Sequence, residues 1–309
     1  MPLGVVFSLL AYGIYSCGDA IIKGFSGNLG VFEIGFFTAI FSVLPAMLSK
    51  PAGEHWRHTW QMQHPWLLQL RALSGVCGTM LVIYAFTSIP LAEVYSLAFL
   101  TPVFVVILSV LVLKEKVSLP RWIFLLTSFL GVLLVVRPGF RELHAGHLAA
   151  IGCAMFGSIN TTVYRTIAPR EKRVSLVGVT ATYAIIVNGM LMIPHFTMPN
   201  FQQFVMLALV GACGGTGHLF FIAATRSAPA SQVAPAQYSQ IVWAMVLGAM
   251  FYQEFPDQLA LVGLAVVVVA GILNVVSDEA RGRMFQRLAL LRAPAPIVPV
   301  LEAEAKPQV

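Results

Sequence analysis

Charge is what this sequence has least of. Only 10% of its 309 residues are Asp, Glu, Lys or Arg, against roughly 25% in an ordinary soluble domain. Hydrophobic residues make up 58%, and the mean hydropathy is +0.82. A water-soluble globule of 33.5 kDa with so few charges would expose wide apolar patches, which soluble proteins avoid. That excludes a soluble enzyme, and a disordered or fibrous chain with it. Cysteine is scarce too. Cys17, Cys77, Cys153 and Cys213 each fall inside an apolar run, with neither metal-ligand spacing nor a paired framework. They read as small packing residues, and neither a metal nor a cofactor is expected. The start, Met1-Pro2-Leu3, lacks the basic stretch of a signal peptide, so the first apolar run reads as a retained span.

What is there is a series of ten apolar segments: 3–23, 31–49, 66–87, 91–113, 120–136, 147–167, 174–196, 201–226, 231–253 and 257–277. Prolines mark many of the ends, among them Pro51, Pro65, Pro90, Pro120, Pro138, Pro169, Pro199, Pro229 and Pro256. A span needs about 20 apolar residues, and backbone groups in lipid must bond within their own segment, so these runs are helices. The expected fold is an all-α polytopic membrane protein with ten transmembrane helices. Residues 278–309 form a tail that begins basic and ends acidic and polar, a surface segment followed by disorder.

The few charges are unevenly placed. With both termini on one side, sixteen of the nineteen Lys and Arg, Arg71 included, fall on that side, and only Lys23, Arg137 and Arg141 on the other. Basic residues gather in cytoplasmic loops, so both termini are expected in the cytoplasm. The net charge of +6 is thus a topology signal and calls for no nucleic acid.

The sequence also repeats. A shift of 139 lays Ser88-Ile89-Pro90 on Ser227-Ala228-Pro229, Val94 on Val233, Glu115 on Glu254, Gly75 on Gly214, Gly78 on Gly217, Ala85 on Ala224, Phe99 on Tyr238 and Thr101 on Gln240. A shift of 142 lays Tyr15 to Asp19 on Gly157 to Thr161, and Lys23 on Arg165. Each repeat holds five spans. Five is odd, so the two copies, 1–140 and 141–277, must sit in the membrane with opposite orientations. Inverted repeats of this kind belong to alternating-access transporters, with the solute near the midplane between the halves.

The arrangement resembles the EamA-type members of the drug/metabolite transporter superfamily. The residues that carry the likeness are Ile89-Pro90-Leu91-Ala92-Glu93, Leu113-Lys114-Glu115-Lys116, the run from Gly131 to Gly139, Ala228-Pro229-Ala230 and Gln253-Glu254. It covers residues 3 to about 277. The resemblance implies a ten-helix inner-membrane transporter of organic metabolites, with members that move amino acids, S-adenosylmethionine or riboflavin. It fixes neither substrate nor direction.

Ionisable residues at the centre of a span cost about 2.5–3.5 kcal/mol on insertion scales, so each needs a reason. Asp19 is the deepest acid. Either Lys23, one turn away, neutralises it, or it is an ion- or substrate-coupling carboxylate. Glu33 and Glu93 lie near span ends, where pairing or snorkelling explains them. Span nine is polar: Gln237 and Gln240 share a face with Ala244, next to Tyr238 and Trp243. Tyr95, Phe99 and Pro102 form one face of span four, where Pro102 can kink the helix. Gly214-Gly215-Thr216-Gly217-His218 offers glycines for close helix approach and a histidine that suits a cavity or a proton relay. Asn160 and Tyr164 share a face of span six, and Tyr84 adds an aromatic from span three.

The expected substrate site is therefore Tyr15, Tyr84, Tyr95, Phe99, Asn160, Tyr164, His218, Gln237, Tyr238, Gln240 and Trp243, with Asp19 as the coupling acid and no catalytic residue. Such a lining suits a planar or aromatic solute, riboflavin-like or an aromatic amino acid, with S-adenosylmethionine as the alternative. The partners expected are a small organic solute, the bilayer and, as an option, a second copy in a homodimer. Competing readings are a structural or regulatory membrane protein, whose polar residues would pair and leave no midplane cavity, and a channel. A membrane-embedded enzyme lacks its paired aspartates or His-Glu-x-x-His site.

Overall fold

A computed structural model describes residues 3–48, 53–111, 119–136, 142–167, 170–227 and 233–273. The tail, Glu115, Arg137 and Arg141 lie outside these residues. Among the described residues the secondary structure is helical, without strands. The helices are α1 (Leu3–Lys23), α2 (Val31–Leu48), α3 (Pro65–Ser88), α4 (Leu91–Ala98), α5 (Thr101–Leu111), α6 (Leu119–Val136), α7 (Ala145–Ile167), α8 (Arg173–Met192), α9 (Phe201–Ser227), α10 (Ser239–Tyr252) and α11 (Gln258–Leu273). With α4 and α5 counted as one broken span, they make the ten spans. Five stretches among the described residues are long and apolar enough to cross a membrane: 3–23, 65–88, 91–108, 174–195 and 201–224. Large apolar side chains such as Leu126, Leu130, Phe204 and Leu209 stand exposed on the outside of the bundle, a surface made for lipid.

Local chemistry sets the ends. Pro65 opens α3 at its first turn, where a missing N–H matters least. Ile89 is extended before Pro90, which ends α3 and lets α4 begin afresh. Gln253 closes α10 in the left-handed region at φ 55°, and the chain turns back so that the Glu254 N–H bonds the Gly248 carbonyl.

Two expected spans are broken. Span four parts at Phe99–Leu100, just ahead of Pro102. Span nine begins with a 3-10 turn, Ala234–Tyr238, which passes into α10 at Ser239. A Pro at 235 takes the N–H from that turn, as Pro102 does from α5. The two breaks fall at Phe99 and Tyr238, which the 139 shift makes equivalent.

The packing shows the inverted repeat directly. α1 lies along α9 as α7 lies along α3; α2 meets α9 as α8 meets α3; α1 meets α10 as α7 meets α4 and α5. Exchanging the halves leaves this list unchanged. It also holds at residue level. A Cβ at Gly217 would fall 2.7 Å from the Tyr15 ring, and one at Gly78 would lie 3.9 Å from Gly157; the two shifts convert one pair into the other. Phe99 and Tyr238 stack on each other, centroids 4.9 Å apart and planes at 25°. Equivalent residues that touch must straddle the two-fold axis.

The ion pairs differ from the expectation that Lys23 neutralises Asp19. Lys23 Nζ is 2.7 Å from Glu254 Oε1 and also donates to the Ile89 carbonyl at 2.7 Å. Asp19 is left to other partners because the Lys23 chain extends toward the helix end. Glu93 pairs with His147 at 2.9 Å. Glu33 is buried and accepts the Gly30 and Thr197 N–H groups, while Glu171 accepts those of Gln63 and His64. Each of these two carboxylates, at the start of α2 or just before α8, straps the loop leading into α9 or α3 of the other half.

Candidate functional site

A cavity of about 590 Å³ lies where the halves meet. It falls within the usual range for small-molecule sites. Six helices wall it: α1, α2 and α3 of the first half and α7, α8 and α9 of the second. Its lining is small and hydroxylated, including Gly35, Thr38 and Ser42 of α2, Ser74, Gly75 and Thr79 of α3, and Thr180 and Asn188 of α8. Equivalent positions face it from both sides. The 142 shift relates Asp19 to Thr161 and Thr38 to Thr180, and all four line the cavity.

Asp19 is the only carboxylate among the described lining residues. The Tyr95 hydroxyl donates to its Oδ2 and lies 3.3 Å from Ser16 Oγ; Gln240 approaches the same phenol from α10. The Asp19 carboxylate is thus held by a neutral donor and not by a base.

Of the twelve positions expected from the sequence, Tyr15, Asp19 and Asn160 line the cavity. Tyr95 supports it from behind. Phe99 and Tyr238 form the axial stack outside it, with the Tyr238 hydroxyl pressed so closely on Gly271 that no Cβ fits there. Trp243 lies against Gly13 and, like Gln237, faces outward. Tyr84 is 40% exposed on the outside of α3. Tyr164 is 42% exposed and covers the Arg71 guanidinium at 4.9 Å. His218 is exposed on α9, away from the cavity. The aromatic set is therefore dispersed, and Tyr15 is the one aromatic side chain among the described lining residues.

The α2 and α8 walls and Arg71 were not singled out from the sequence. A signal was present for the walls: Gly35, Thr38 and Ser42, or Thr180, Ala184 and Asn188, are small or polar residues at helical spacing within apolar runs. Small residues leave the room that becomes the cavity. Arg71 was counted with the loop charges, yet it sits inside α3 and donates across the seam to the Leu176 carbonyl and to Thr180 Oγ1, both at 2.8 Å.

Comparison with known proteins agrees with this architecture. The S-adenosylmethionine uptake transporter of Rickettsia conorii is 25% identical over 280 residues, which is 89% of this chain and 93% of that protein. The pseudopaline exporter CntI of Pseudomonas aeruginosa is 30% identical over 273 residues, 87% of this chain and 94% of that protein. A solved crystal structure superposes with a TM-score of 0.61 at 17% identity, covering 90% of this chain and 97% of the other, a likeness of fold. The model of the EamA-like transporter family matches residues 2–137 and again 144–276. With nearly the whole chain matched and the two halves packed as inverted repeats, the protein belongs to the EamA-like transporter family of integral membrane metabolite transporters.

Proposed function

We propose that the chain is a secondary transporter that carries an organic cation or zwitterion of the S-adenosylmethionine kind through the central cavity by alternating access. The observation that carries this reading is Asp19, a carboxylate facing a cavity at the seam between the halves and balanced there by no base among the described residues. An acid in such a place is a functional residue by default. A cationic solute supplies the missing counter-charge, and Asn160, Asn188, Thr38 and Thr180 offer hydrogen bonds around it. The dispersal of the aromatic side chains favours such a solute over a flavin-like ring. A relative that takes up S-adenosylmethionine supports the same class.

Movement follows from the packing. The Phe99–Tyr238 stack lies on the axis, where rotation of one half against the other displaces it least, and it serves as the pivot. The halves, 1–140 and 141–277, then rock about the cavity with both termini in the cytoplasm of a bacterial inner membrane. Asp19 is also the acid through which a proton would couple.

The test is uptake of labelled S-adenosylmethionine into proteoliposomes. Wild type accumulates label down its gradient, and Asp19→Asn lowers the rate at least about tenfold while the protein inserts normally. Uptake unchanged by Asp19→Asn refutes the role of the carboxylate. A pH dependence that persists in Asp19→Asn removes it as the coupling acid.

A further inference from the structure

We propose that the edge of the Arg71 guanidinium binds a carboxylate of the transported solute, at the opposite end of the cavity from Asp19; this rests on the cavity being the solute path. Arg71 lies one turn before Ser74 and Gly75 on α3, and both of these line the cavity. Its neighbours line it as well. Thr180 accepts from Nη1, and Asn160 donates to the Arg71 carbonyl at 3.3 Å.

The guanidinium is incompletely matched. It has five N–H donors, and its two hydrogen bonds among the described residues, to Leu176 O and Thr180 Oγ1, both leave from Nη1. Nε is shielded from solvent and has no acceptor. No carboxylate among the described residues forms an ion pair with Arg71, and its one charge-related contact is the Tyr164 ring at 4.9 Å. Four other ionised side chains within or beside the spans are better served. Lys23 has Glu254, Glu93 has His147, and Glu33 and Glu171 each accept two backbone N–H groups.

The free side of the group, Nε with Nη2, is the edge that takes a carboxylate in two parallel bonds. A ligand oxygen there would satisfy the orphaned Nε–H and supply the absent counter-charge together. Leu176 O and Thr180 hold the opposite edge in place, so the fork is oriented before the solute arrives. Tyr164 covers one face of the guanidinium and is itself half exposed, so the ring stacks over the plane and leaves the edge to a ligand.

The spacing then narrows the substrate class. Lining residues Ser74 to Val82 on α3 span about 12 Å of helix rise. Lys23, at the end of α1, bonds the Ile89 carbonyl just past the end of α3, so Asp19 and Ile22 lie toward the Val82 end, away from Arg71. The solute is therefore extended, with a carboxylate at one end and its other polar and cationic groups strung toward the far end, as the sulfonium and adenosine of S-adenosylmethionine are. A small α-amino acid, whose charges are adjacent, does not reach both.

The experiment compares S-adenosylmethionine with its decarboxylated analogue on the full-length protein, by thermal shift in detergent and by uptake into proteoliposomes. Arg71→Gln and Arg71→Lys are both made, since Lys keeps the charge without the fork. The expected result is a loss of about tenfold or more in affinity for S-adenosylmethionine in both variants, with the decarboxylated analogue within about twofold of wild type. Equal losses for the two probes, or no loss for either, overturn the proposal and return Arg71 to a helix staple. Wild type that transports the two probes equally well also overturns it, while leaving the transporter reading standing. Wild type that is folded but moves neither probe refutes the solute class as well.

Discussion

The Lys23–Glu254 ion pair ties the end of α1 to the turn between α10 and α11, and its strength can be worked out from its setting. The charged atoms are 2.7 Å apart, with side chains 12% and 20% exposed. At an effective dielectric constant near 20 the attraction is about 6 kcal/mol, most of which is lost again to desolvation. Exposed pairs couple by roughly 0.2–1 kcal/mol, and breaking a fully buried pair costs roughly 3–5 kcal/mol. This pair lies between those limits. Each partner is also held independently, Lys23 by the Ile89 carbonyl at 2.7 Å and Glu254 by the Leu91 N–H at 3.0 Å, so little side-chain freedom remains to be lost. A coupling of about 2 kcal/mol follows, or roughly thirtyfold in the unfolding equilibrium. The assay is a double-mutant cycle of Lys23→Met, Glu254→Gln and the pair together. Reversible unfolding in mixed micelles, followed by the fluorescence of the five tryptophans, gives the free energies. A coupling below about 0.5 kcal/mol would show that the two groups act only through their backbone partners.

Gly214 and Gly217 separate space from packing. A Cβ at Gly214 meets nothing within 4 Å and enters the cavity, so Gly214→Ala should leave stability within about 0.5 kcal/mol of wild type yet slow uptake. Gly217→Ala drives a methyl into the Tyr15 ring and should cost about 1–3 kcal/mol in the same unfolding assay. At Gly131 a Cβ would lie 2.9 Å from the Gly263 carbonyl and 3.0 Å from the Val267 nitrogen; backbone cannot yield, so Gly131→Ala should lower the thermal midpoint by separating α6 from α11. Cys153 lines the cavity, and with Cys17, Cys77 and Cys213 changed to Ala it should react with a small polar thiol reagent that blocks uptake. Bound solute should slow that reaction; labelling at the same rate with and without solute would place the solute elsewhere.

Where the sequence was informative, one kind of signal was responsible. Long apolar runs and prolines dictate helices in lipid because no other partner exists for the backbone, so the spans from 3–23 to 201–226 appear close to where they were expected. The repeat was legible because both halves keep the same small residues at their crossings, as at Gly78 and Gly217. The breaks near Phe99 and Tyr238 were half legible, since Pro102 marks one of them. The site was less so. Polarity in a span says that a side chain needs a partner, but not whether the partner is a cavity, another helix or its own backbone. Gln237 and His218 turn outward, whereas the cavity is walled by Gly, Ser and Thr, whose signature is missing bulk. The choice between Lys23 as the partner of Asp19 and a coupling carboxylate stayed open because spacing along one helix reveals nothing of Glu254, 231 positions later but adjacent in space.

The exchange symmetry of the crossing helices, α1 on α9 as α7 on α3, gives this single chain the character of a two-subunit assembly. Its seam is isologous, each surface complementary to a copy of itself, as in a two-fold dimer. Such a seam does not depend on the covalent link that joins its partners. Cut after residue 140 and produced as two polypeptides in one cell, the halves should find each other in the membrane, one inserted upside down relative to the other. The stacked rings of Phe99 and Tyr238 would then be an intersubunit contact, and a change to either ring would be felt by both fragments at once.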